Sequence, residues 1–221
     1  MAALPEIAAL ASKDLCLGKI DGRSVEDLSM TLHVKPRPFT VEEYARMGQA
    51  GVFRPDERVE LIEGEILAMS PQNRPHASRT ARLTTLLVRA FGDTHEIRVG
   101  LPLTLGEYSE PEPDFAVVSL LEADRAPRHP AGADLVIEVS DASLPFDRAE
   151  KASLYAKAGI SDYWILNLRG SRLEVRRHPE PDPDSLYGFN YSTVEVYTAG
   201  QMVSPLAFPE RSFQVSELLG L

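Results

Sequence analysis

ADLVIEVSDASLPFDRAEKASLYAKAG, residues 133–159, predicts a strand followed by a helix and carries one charged residue inside the strand. Residues 135–140 are apolar apart from Glu138 and Ser140, which is typical of a buried strand. Because side chains alternate along a strand, Glu138 and Ser140 share one face with Val136. An unpaired carboxylate is unfavourable in a protein interior, so the sequence predicts a positive charge close to Glu138.

The helix after this strand supplies a candidate for that charge. Asp147 and Glu150 predict an N-capping pair and Gly159 a C-terminal cap, which bracket a helix of about three turns. The apolar stripe of the helix consists of Leu154, Tyr155 and Ala158, which we interpret as core packing. Lys151 falls at the centre of the stripe and is the predicted partner of Glu138. A purely structural ion pair, or a lysine whose ammonium reaches solvent, fits the same pattern.

Turn and cap residues outline the rest of the fold. Thr40 and Glu43 resemble a capping box that opens a short helix, and Glu63-Gly64 predicts the turn of a hairpin. Apolar residues recur at helical spacing over residues 75–91, which predicts a longer helix. Further strands are predicted at residues 96–105, 114–120, 162–168, 171–178 and 191–198.

The central order is helix, three strands, helix and strand, with an added N-terminal hairpin and C-terminal strands. This order predicts a mixed α/β layer fold. Residues 38–221 are predicted to form a single domain and residues 1–37 a peripheral N-terminal extension. A hydrophobic content of 43% and a charged content of 25% are typical of a globular domain.

Composition also limits location and partners. The single cysteine, Cys16, excludes an internal disulfide and is typical of a reducing compartment. No apolar run is long enough to span a membrane, and the first residues lack the pattern of a signal peptide. We therefore expect a cytoplasmic protein without membrane attachment. The formal net charge of -10 argues against broad nonspecific affinity for nucleic acid.

A second carboxylate precedes a neighbouring strand. EPEPDFAVV, residues 110–118, has Asp114 at the start of that strand, facing the same way as Ala116 and Val118. Carboxylates that converge at one end of a sheet, beside a lysine, form an oxygen-rich site that suits Mg²⁺ or Mn²⁺. An aspartate that only closes a turn is the alternative interpretation of Asp114.

Five stretches together resemble the Uma-type family of restriction-endonuclease-like proteins, a branch of the PD-(D/E)xK nuclease superfamily. The stretches are RVELIEGEILAMSP (58–71), PEPDFAVV (111–118), DLVIEVSDAS (134–143), DRAEKASLYAKAGISDYWIL (147–166) and SRLEVRR (171–177). The similarity extends over residues 39–219 and includes the order of the core elements. Each motif is weak alone, but five in the right order form a strong signal. The resemblance implies a restriction-endonuclease-like core and Mg²⁺-dependent hydrolysis of phosphodiester bonds in DNA.

The resemblance also implies roles for individual residues. Asp114 and Glu138, with the backbone carbonyl of Val139, are expected to bind Mg²⁺ or Mn²⁺. Lys151 is expected to position the attacking water or to offset charge on the phosphoryl oxygens. Glu60 is expected to bind a second metal or to orient water, and an exposed hairpin carboxylate is the alternative.

Two positions depart from the family pattern. Ser140 stands where the superfamily carries a lysine two residues after the second carboxylate, so Lys151 is expected to supply the ammonium from the helix. Asn167 stands where the branch often carries an aspartate, at a position that we expect to be peripheral to the metal.

Basic residues near the expected site are candidates for substrate contacts. His76 is expected to touch the scissile phosphate or to hold a carboxylate, and a capping or surface histidine is the alternative. Arg79 and Arg82 are three residues apart on one helical side. If DNA is the substrate, both should border the cleft of Glu138, together with at least one of Arg172, Arg176 and Arg177.

The sequence leaves other functions open. A degenerate nuclease fold could serve as a non-catalytic binding or assembly module, and hydrolysis of a small phosphoester would need a closed pocket. A basic rim around the carboxylates favours the enzyme, whereas an acidic rim favours the module. A homodimer is expected of an endonuclease that cuts both strands with two symmetric sites.

Overall fold

The structure is a computed structural model that describes residues 36–69, 73–123 and 128–221. Residues 37–221 form one compact unit, and nearly all of the predicted extension over residues 1–37 lies outside the described residues. Within the described parts of the chain, no helix is both long enough and apolar enough to cross a bilayer.

The elements follow the chain in this order. The helices are α1 (Val41–Gln49), α2 (Arg74–Phe91), α3 (Leu120–Ala123), α4 (residues 144–157) and α5 (Val215–Leu219). Helix α4 joins three consecutive stretches, Leu144–Phe146, Asp147–Lys151 and Ala152–Lys157, of which the middle one is π-helical. The strands are β1 (Val59–Ile62), β2 (Glu65–Ala68), β3 (His95–Val99), β4 (Phe115–Ser119), β5 (Leu135–Ser140), β6 (Asp162–Asn167), β7 (Arg172–Pro181), β8 (Phe189–Tyr197), β9 (Met202–Val203) and β10 (Phe213–Gln214).

The predicted cap and turn near the start of the domain are confirmed. The Thr40 hydroxyl accepts the Glu43 N–H at 3.1 Å, and the Glu43 carboxylate accepts the Thr40 N–H at 3.0 Å. Glu63 and Gly64 have φ values of 49° and 83°, the two positive values that a type I′ turn requires. Strands β1 and β2 pair antiparallel around this turn and form a separate two-stranded sheet.

A six-stranded mixed sheet has the order β3-β4-β5-β6-β7-β8. Strands β5 and β6 are parallel, and their connection contains α4, whereas all other neighbours pair antiparallel. Apart from the short helix α3, the elements from α2 to β6 follow the predicted order of helix, three strands, helix and strand. The mixed α/β fold is therefore confirmed.

Two apolar layers cover the faces of this sheet. One layer includes Leu83 and Leu87 of α2, and the other includes Leu154 and Tyr155 of α4. On β5, Leu135, Ile137 and Val139 belong to the α2 layer and Val136 belongs to the α4 layer. The predicted alternation along β5 is confirmed, so Glu138 and Ser140 project toward the side of the sheet that α4 covers.

The structure corrects two local predictions. The strand predicted over residues 96–105 ends at Val99, because Gly100 has a φ of 58° that breaks the extended backbone. The predicted N-capping pair of Asp147 and Glu150 is wrong, since the helical run already begins at Leu144 and Asp147 has helical backbone angles. The Asp147 side chain is instead held by serine hydroxyls within the candidate site.

Candidate active site

Asp114 and Glu138 lie opposite each other where the β4–β5 ladder ends. The pairing of Phe115 with Ile137, continued by one residue, brings Asp114 across from Glu138. The Asp114 N–H donates to Glu138 Oε2 at 3.1 Å, and the Val139 N–H donates to Asp114 Oδ2 at 2.8 Å. Each carboxylate satisfies a backbone donor of the other strand, which fixes both at the same end of the sheet.

Lys151 lies between two carboxylates. Its Nζ is 2.5 Å from Glu60 Oε2 and 3.6 Å from Glu138 Oε1, and its side chain is only 3% exposed. Glu138 is therefore within ion-pair distance, but Glu60 on β1 is the closer partner. Burial lowers the pKa of Lys151, but the charges of Glu60 and Glu138 outweigh burial and raise this pKa overall. The ammonium group consequently stays charged at neutral pH.

Glu138 is under opposing influences. Burial raises the pKa of Glu138 well above its ordinary value, Lys151 lowers it, and the charges of Asp114 and Asp147 raise it further. The Tyr155 hydroxyl donates to Glu138 Oε1 at 2.8 Å, so this tyrosine contributes a polar contact to the site as well as packing in the core. The raised pKa of Glu138 therefore results first from burial, and the charges of Asp114 and Asp147 add to it against the opposing charge of Lys151.

The π-helical stretch Asp147–Lys151 carries two of these groups at its ends. The Tyr163 hydroxyl donates to the Asp147 carbonyl at 3.0 Å, and the Arg148 guanidinium binds both carboxylate oxygens of Glu174 on β7. These contacts fasten the stretch to the sheet. Single π turns recur at functional sites because they redirect the side chains of a helix.

The start of α2 reaches the same end of the sheet. Asn73 caps the helix by accepting the His76 N–H at 3.0 Å, and His76 Nε2 lies 2.9 Å from Asp114 Oδ1. Burial lowers the pKa of His76, but the hydrogen bond and charge of Asp114, together with the charge of Asp147, raise it overall. His76 therefore holds a carboxylate, which was one of the two roles expected of it.

A cavity of about 470 Å³ opens over these groups, and we call it the acidic cleft. Its carboxylate residues are Glu60, Asp114, Glu138, Asp141 and Asp147. The basic residues that line it are Arg58, His76 and Lys151. The apolar residues that line it are Leu67, Ala68, Met69, Ala142 and Phe146. Acidic groups outnumber basic ones in this lining.

The structure does not bring the predicted arginines to the acidic cleft. Arg79 packs against Gly220 near the end of α5, where a Cβ at residue 220 would overlap the Arg79 guanidinium, and Arg82 is exposed elsewhere on α2. Arg177 donates to the buried Asp162, outside the cleft. None of the late-hairpin arginines belongs to the described lining: Arg172, Arg176 and Arg177.

Two other arginines stand at the edge of the cleft, and we call them the rim arginines. Arg58 lines the cleft and pairs with Glu112 at 3.2 Å. Arg169, which is 68% exposed, pairs with the lining residue Asp141 at 2.6 Å. Neither was identified from the sequence, because their position depends on how the hairpin and the turn after β6 approach the cleft.

The oxygen ligands of the acidic cleft suit a small hard cation such as Mg²⁺, bound by a few protein oxygens and by water. Within the described cleft lining, they do not form a site in which the protein supplies every ligand. Among residues 36–69, 73–123 and 128–221, no three His, Cys, Asp or Glu side chains converge to hold one metal ion. Asp114 and Glu138 remain as a two-carboxylate pair, and Mg²⁺ is commonly bound by one or two carboxylates with several retained waters. The N–H and C=O of a strand residue project to the same side, so the Val139 carbonyl faces the side of Asp114.

Sequence reasoning missed Asp147 as a member of this site. Its side chain is 4% exposed and lines the acidic cleft. One signal was available, since Asp147 precedes Lys151 by four residues and such a spacing places two side chains on the same side of a helix. Because Asp147 was interpreted as an N-cap of the helix, it was not considered as a member of the site.

Comparisons with known proteins show that the fold is nuclease-like. A solved structure described as a putative nuclease belonging to DUF820, from Anabaena variabilis, superimposes with a TM-score of 0.61. It is 16% identical and covers 83% of this chain and 98% of that chain, so the likeness concerns the fold. The family model Uma2, described as "Putative restriction endonuclease", matches residues 41–216, and the chain belongs to this family. No curated protein sequence matches the chain.

Proposed function

We propose that this chain is a metal-dependent endonuclease that hydrolyses phosphodiester bonds of DNA in the acidic cleft. The observation that carries the proposal is the Asp114–Glu138 pair at one end of the sheet, with the Lys151 ammonium 3.6 Å from Glu138. Membership of a family described as restriction endonucleases and the nuclease-like fold support a nuclease. The metal and the DNA substrate are the added steps of the proposal.

Asp114 and Glu138, with the Val139 carbonyl, would hold Mg²⁺ or Mn²⁺. The charge imbalance of the acidic cleft favours such a cation, because Glu138 is repelled by both Asp114 and Asp147. A bound divalent ion supplies Lewis-acid polarisation of a phosphate and acidifies a coordinated water. His76 orients the Asp114 carboxylate by its contact with Oδ1.

Lys151 would stabilise negative charge that develops on the phosphoryl oxygens. The neighbouring carboxylates keep the buried Lys151 ammonium charged, so it is suited to stabilise developing negative charge. Glu60 holds Lys151 and also accepts the Glu112 N–H at 3.2 Å, so its proposed role is to position the lysine. The expected role of Glu60 in binding a second metal or orienting water stays an untested prediction.

The acidic cleft supports a second candidate function, a non-catalytic binding or assembly module. The excess of carboxylates in the lining repels a polyanion unless a cation is bound. The two candidates differ in a single requirement: the nuclease needs the metal, and a module that binds a neutral or basic partner does not.

Divalent metal should raise the melting temperature of the wild-type protein, since the ion binds only the folded site. We expect calorimetric titration with Mn²⁺ to show one binding step. Asp114→Asn should lower the Mn²⁺ affinity of this step by at least about tenfold. The rate of plasmid cleavage in Mg²⁺ should also be lower for Asp114→Asn than for the wild type. An unchanged melting temperature at millimolar Mg²⁺ and Mn²⁺, with no calorimetric heat, would contradict the metal site and favour the module.

A further inference from the structure

Asp147 is a buried carboxylate of the acidic cleft that the proposed metal site does not use. The Ser140 hydroxyl donates to Asp147 Oδ2 at 2.5 Å and the Ser143 hydroxyl donates to the same oxygen at 2.7 Å. Among the described residues, no hydrogen-bond donor contacts the second oxygen, Oδ1. The carboxylate is therefore fixed in orientation by one oxygen, while the other remains available at the cleft.

The position of Asp147 relative to Glu138 follows from β5. Ser140 lies two residues beyond Glu138 on the same face of the strand, which is a separation of about 7 Å. Because Ser140 contacts Asp147 directly, the Asp147 carboxylate stands roughly that far along the cleft from Glu138. An interval of about 7 Å is enough for one water to lie between the two carboxylates.

The surroundings of Asp147 raise its pKa, which suits a role as a proton acceptor. Burial raises the pKa of Asp147, the two serine hydrogen bonds and Lys151 lower it, and the charge of Asp114 raises it, with a net increase. Glu138 and His76 also face Asp147, since its charge acts on the pKa of each. A carboxylate whose pKa moves toward neutrality is a better base than an ordinary aspartate. Lys151 is an unsuitable base, because its neighbours keep it protonated.

We propose that Asp147 is the general base of the reaction, with Oδ1 as the proton acceptor. This inference rests on the proposed nuclease function. The water oxygen bonds to phosphorus as one water proton passes to Oδ1, and the bond from phosphorus to the leaving sugar oxygen breaks. The leaving oxygen takes a proton from a solvent water, and the resulting hydroxide removes the proton from Asp147. Ser140 and Ser143 are positioning residues that hold the carboxylate during this transfer.

Asp147→Asn tests the proposal with little change in shape, because the amide oxygen can still accept both serine hydroxyls. We expect kcat for DNA cleavage to fall by about 10²- to 10⁴-fold while KM changes less than about threefold. The acidic limb of the kcat pH profile should disappear. Mn²⁺ affinity measured by calorimetry should stay within about threefold of wild type, because Asp147 is not a metal ligand in this proposal. Glu150→Gln is the matched control, since it makes the same carboxylate-to-amide change on the same helical stretch at a residue outside the described cleft lining, and it should keep the wild-type rate.

Each remaining outcome has a defined meaning. Cleavage by Asp147→Asn within about threefold of wild type overturns the base while leaving the nuclease intact. Loss of Mn²⁺ affinity in parallel with the rate also overturns it, because Asp147 would then act on the metal. A wild-type protein that never cleaves DNA overturns the proposed function itself. Should Asp147→Asn fail to fold, Asp147→Ala with added formate decides, since rescue of cleavage supports the base and absence of rescue overturns it.

Discussion

Lys151 has a structural role as a buried ion-pair partner and a proposed catalytic role. As a buried cation Lys151 forms ion pairs with Glu60 and Glu138, and in the proposed site it would face the phosphate. Breaking a buried pair by removing one partner leaves uncompensated charge in the interior, which destabilises a fold more than losing an exposed pair does. Under the proposed function, Lys151 would therefore contribute to both stability and activity.

Lys151→Met should keep much of the apolar stem and remove the charge. We expect metal-free protein to lose about 3 to 5 kcal/mol of unfolding free energy, measured by urea denaturation. Lys157→Met is a matched control on the same helix, because Lys157 pairs with Glu63 at the same 2.5 Å but is 41% exposed. That change should cost less than about 1 kcal/mol. Equal losses in the two variants would show that burial does not decide the strength of these pairs.

Activity adds a second expectation for Lys151→Met. DNA cleavage should fall by far more than metal affinity, because the ammonium acts on the phosphate rather than on the ion. In Ser140→Lys with Lys151→Met, the new lysine projects from the same strand face as Glu138 but replaces the hydroxyl that holds Asp147, so recovery is expected to be partial at most. Partial recovery of cleavage would support the shift of the lysine to the helix. Wild-type cleavage by Lys151→Met alone would make this lysine structural.

At the scale of elements, patterns within one segment were predicted well and approaches between segments were not. The alternation along β5 predicted which face carries Glu138, and the cap at Thr40 predicted the start of α1. The partner of Lys151 was only half predicted, because Glu60 comes from a hairpin outside the main sheet and its approach depends on tertiary packing. A π turn has no simple sequence period, so the helical wheel could not reveal the path of α4.

Arg148 and Glu174 link the π stretch to β7, and this link predicts a pH dependence. Burial raises the pKa of Glu174, but hydrogen bonds from Arg148 and Asn167 and the charges of Arg148 and Arg176 lower it overall. A depressed folded-state pKa stabilises the fold above the unfolded value near 4.5, and the stabilisation is lost as pH falls through the folded value. The Asn167 amide donates to Glu174 at 3.2 Å. An aspartate at position 167 would instead place a second negative charge beside Glu174, which accounts for the asparagine at this position.

Glu174→Gln should therefore lower the melting temperature at pH 7 more than at low pH. We expect the gap between wild type and Glu174→Gln to narrow as pH falls below about 4.5, in thermal melts between pH 3 and pH 7. For Asn167→Asp, the difference in melting temperature from wild type should also narrow as pH falls. In this variant the cause is repulsion between the added carboxylate and Glu174, which protonation at low pH removes. A gap that stays constant across this range would contradict the charge-based role of Glu174.

For the whole molecule, the net charge of -10 is the main obstacle to binding DNA. Phosphate contacts provide most nonspecific affinity, so a nuclease of this charge must concentrate basic residues at its cleft. Among the described residues, the arginines at the edge of the cleft are the rim arginines, Arg58 and Arg169, whereas Arg79 packs against Gly220. Both rim arginines are paired with acids, and DNA phosphates would have to compete with those acids for them.

Arg58→Ala and Arg169→Ala should each weaken DNA binding and reduce the slope of log affinity against log salt by about 0.9 for each phosphate that the removed guanidinium neutralised. Binding is measured by fluorescence anisotropy with Ca²⁺ in place of Mg²⁺, over a range of salt concentrations. Arg79→Ala is the control on the helix that also carries His76, and it should leave the slope unchanged because the Arg79 guanidinium packs against Gly220. If Arg79→Ala flattens the slope while the rim variants do not, DNA follows α2 rather than the acidic cleft. If none of the three variants changes a measurable slope, the protein binds phosphates elsewhere and the rim arginines serve only their acidic partners.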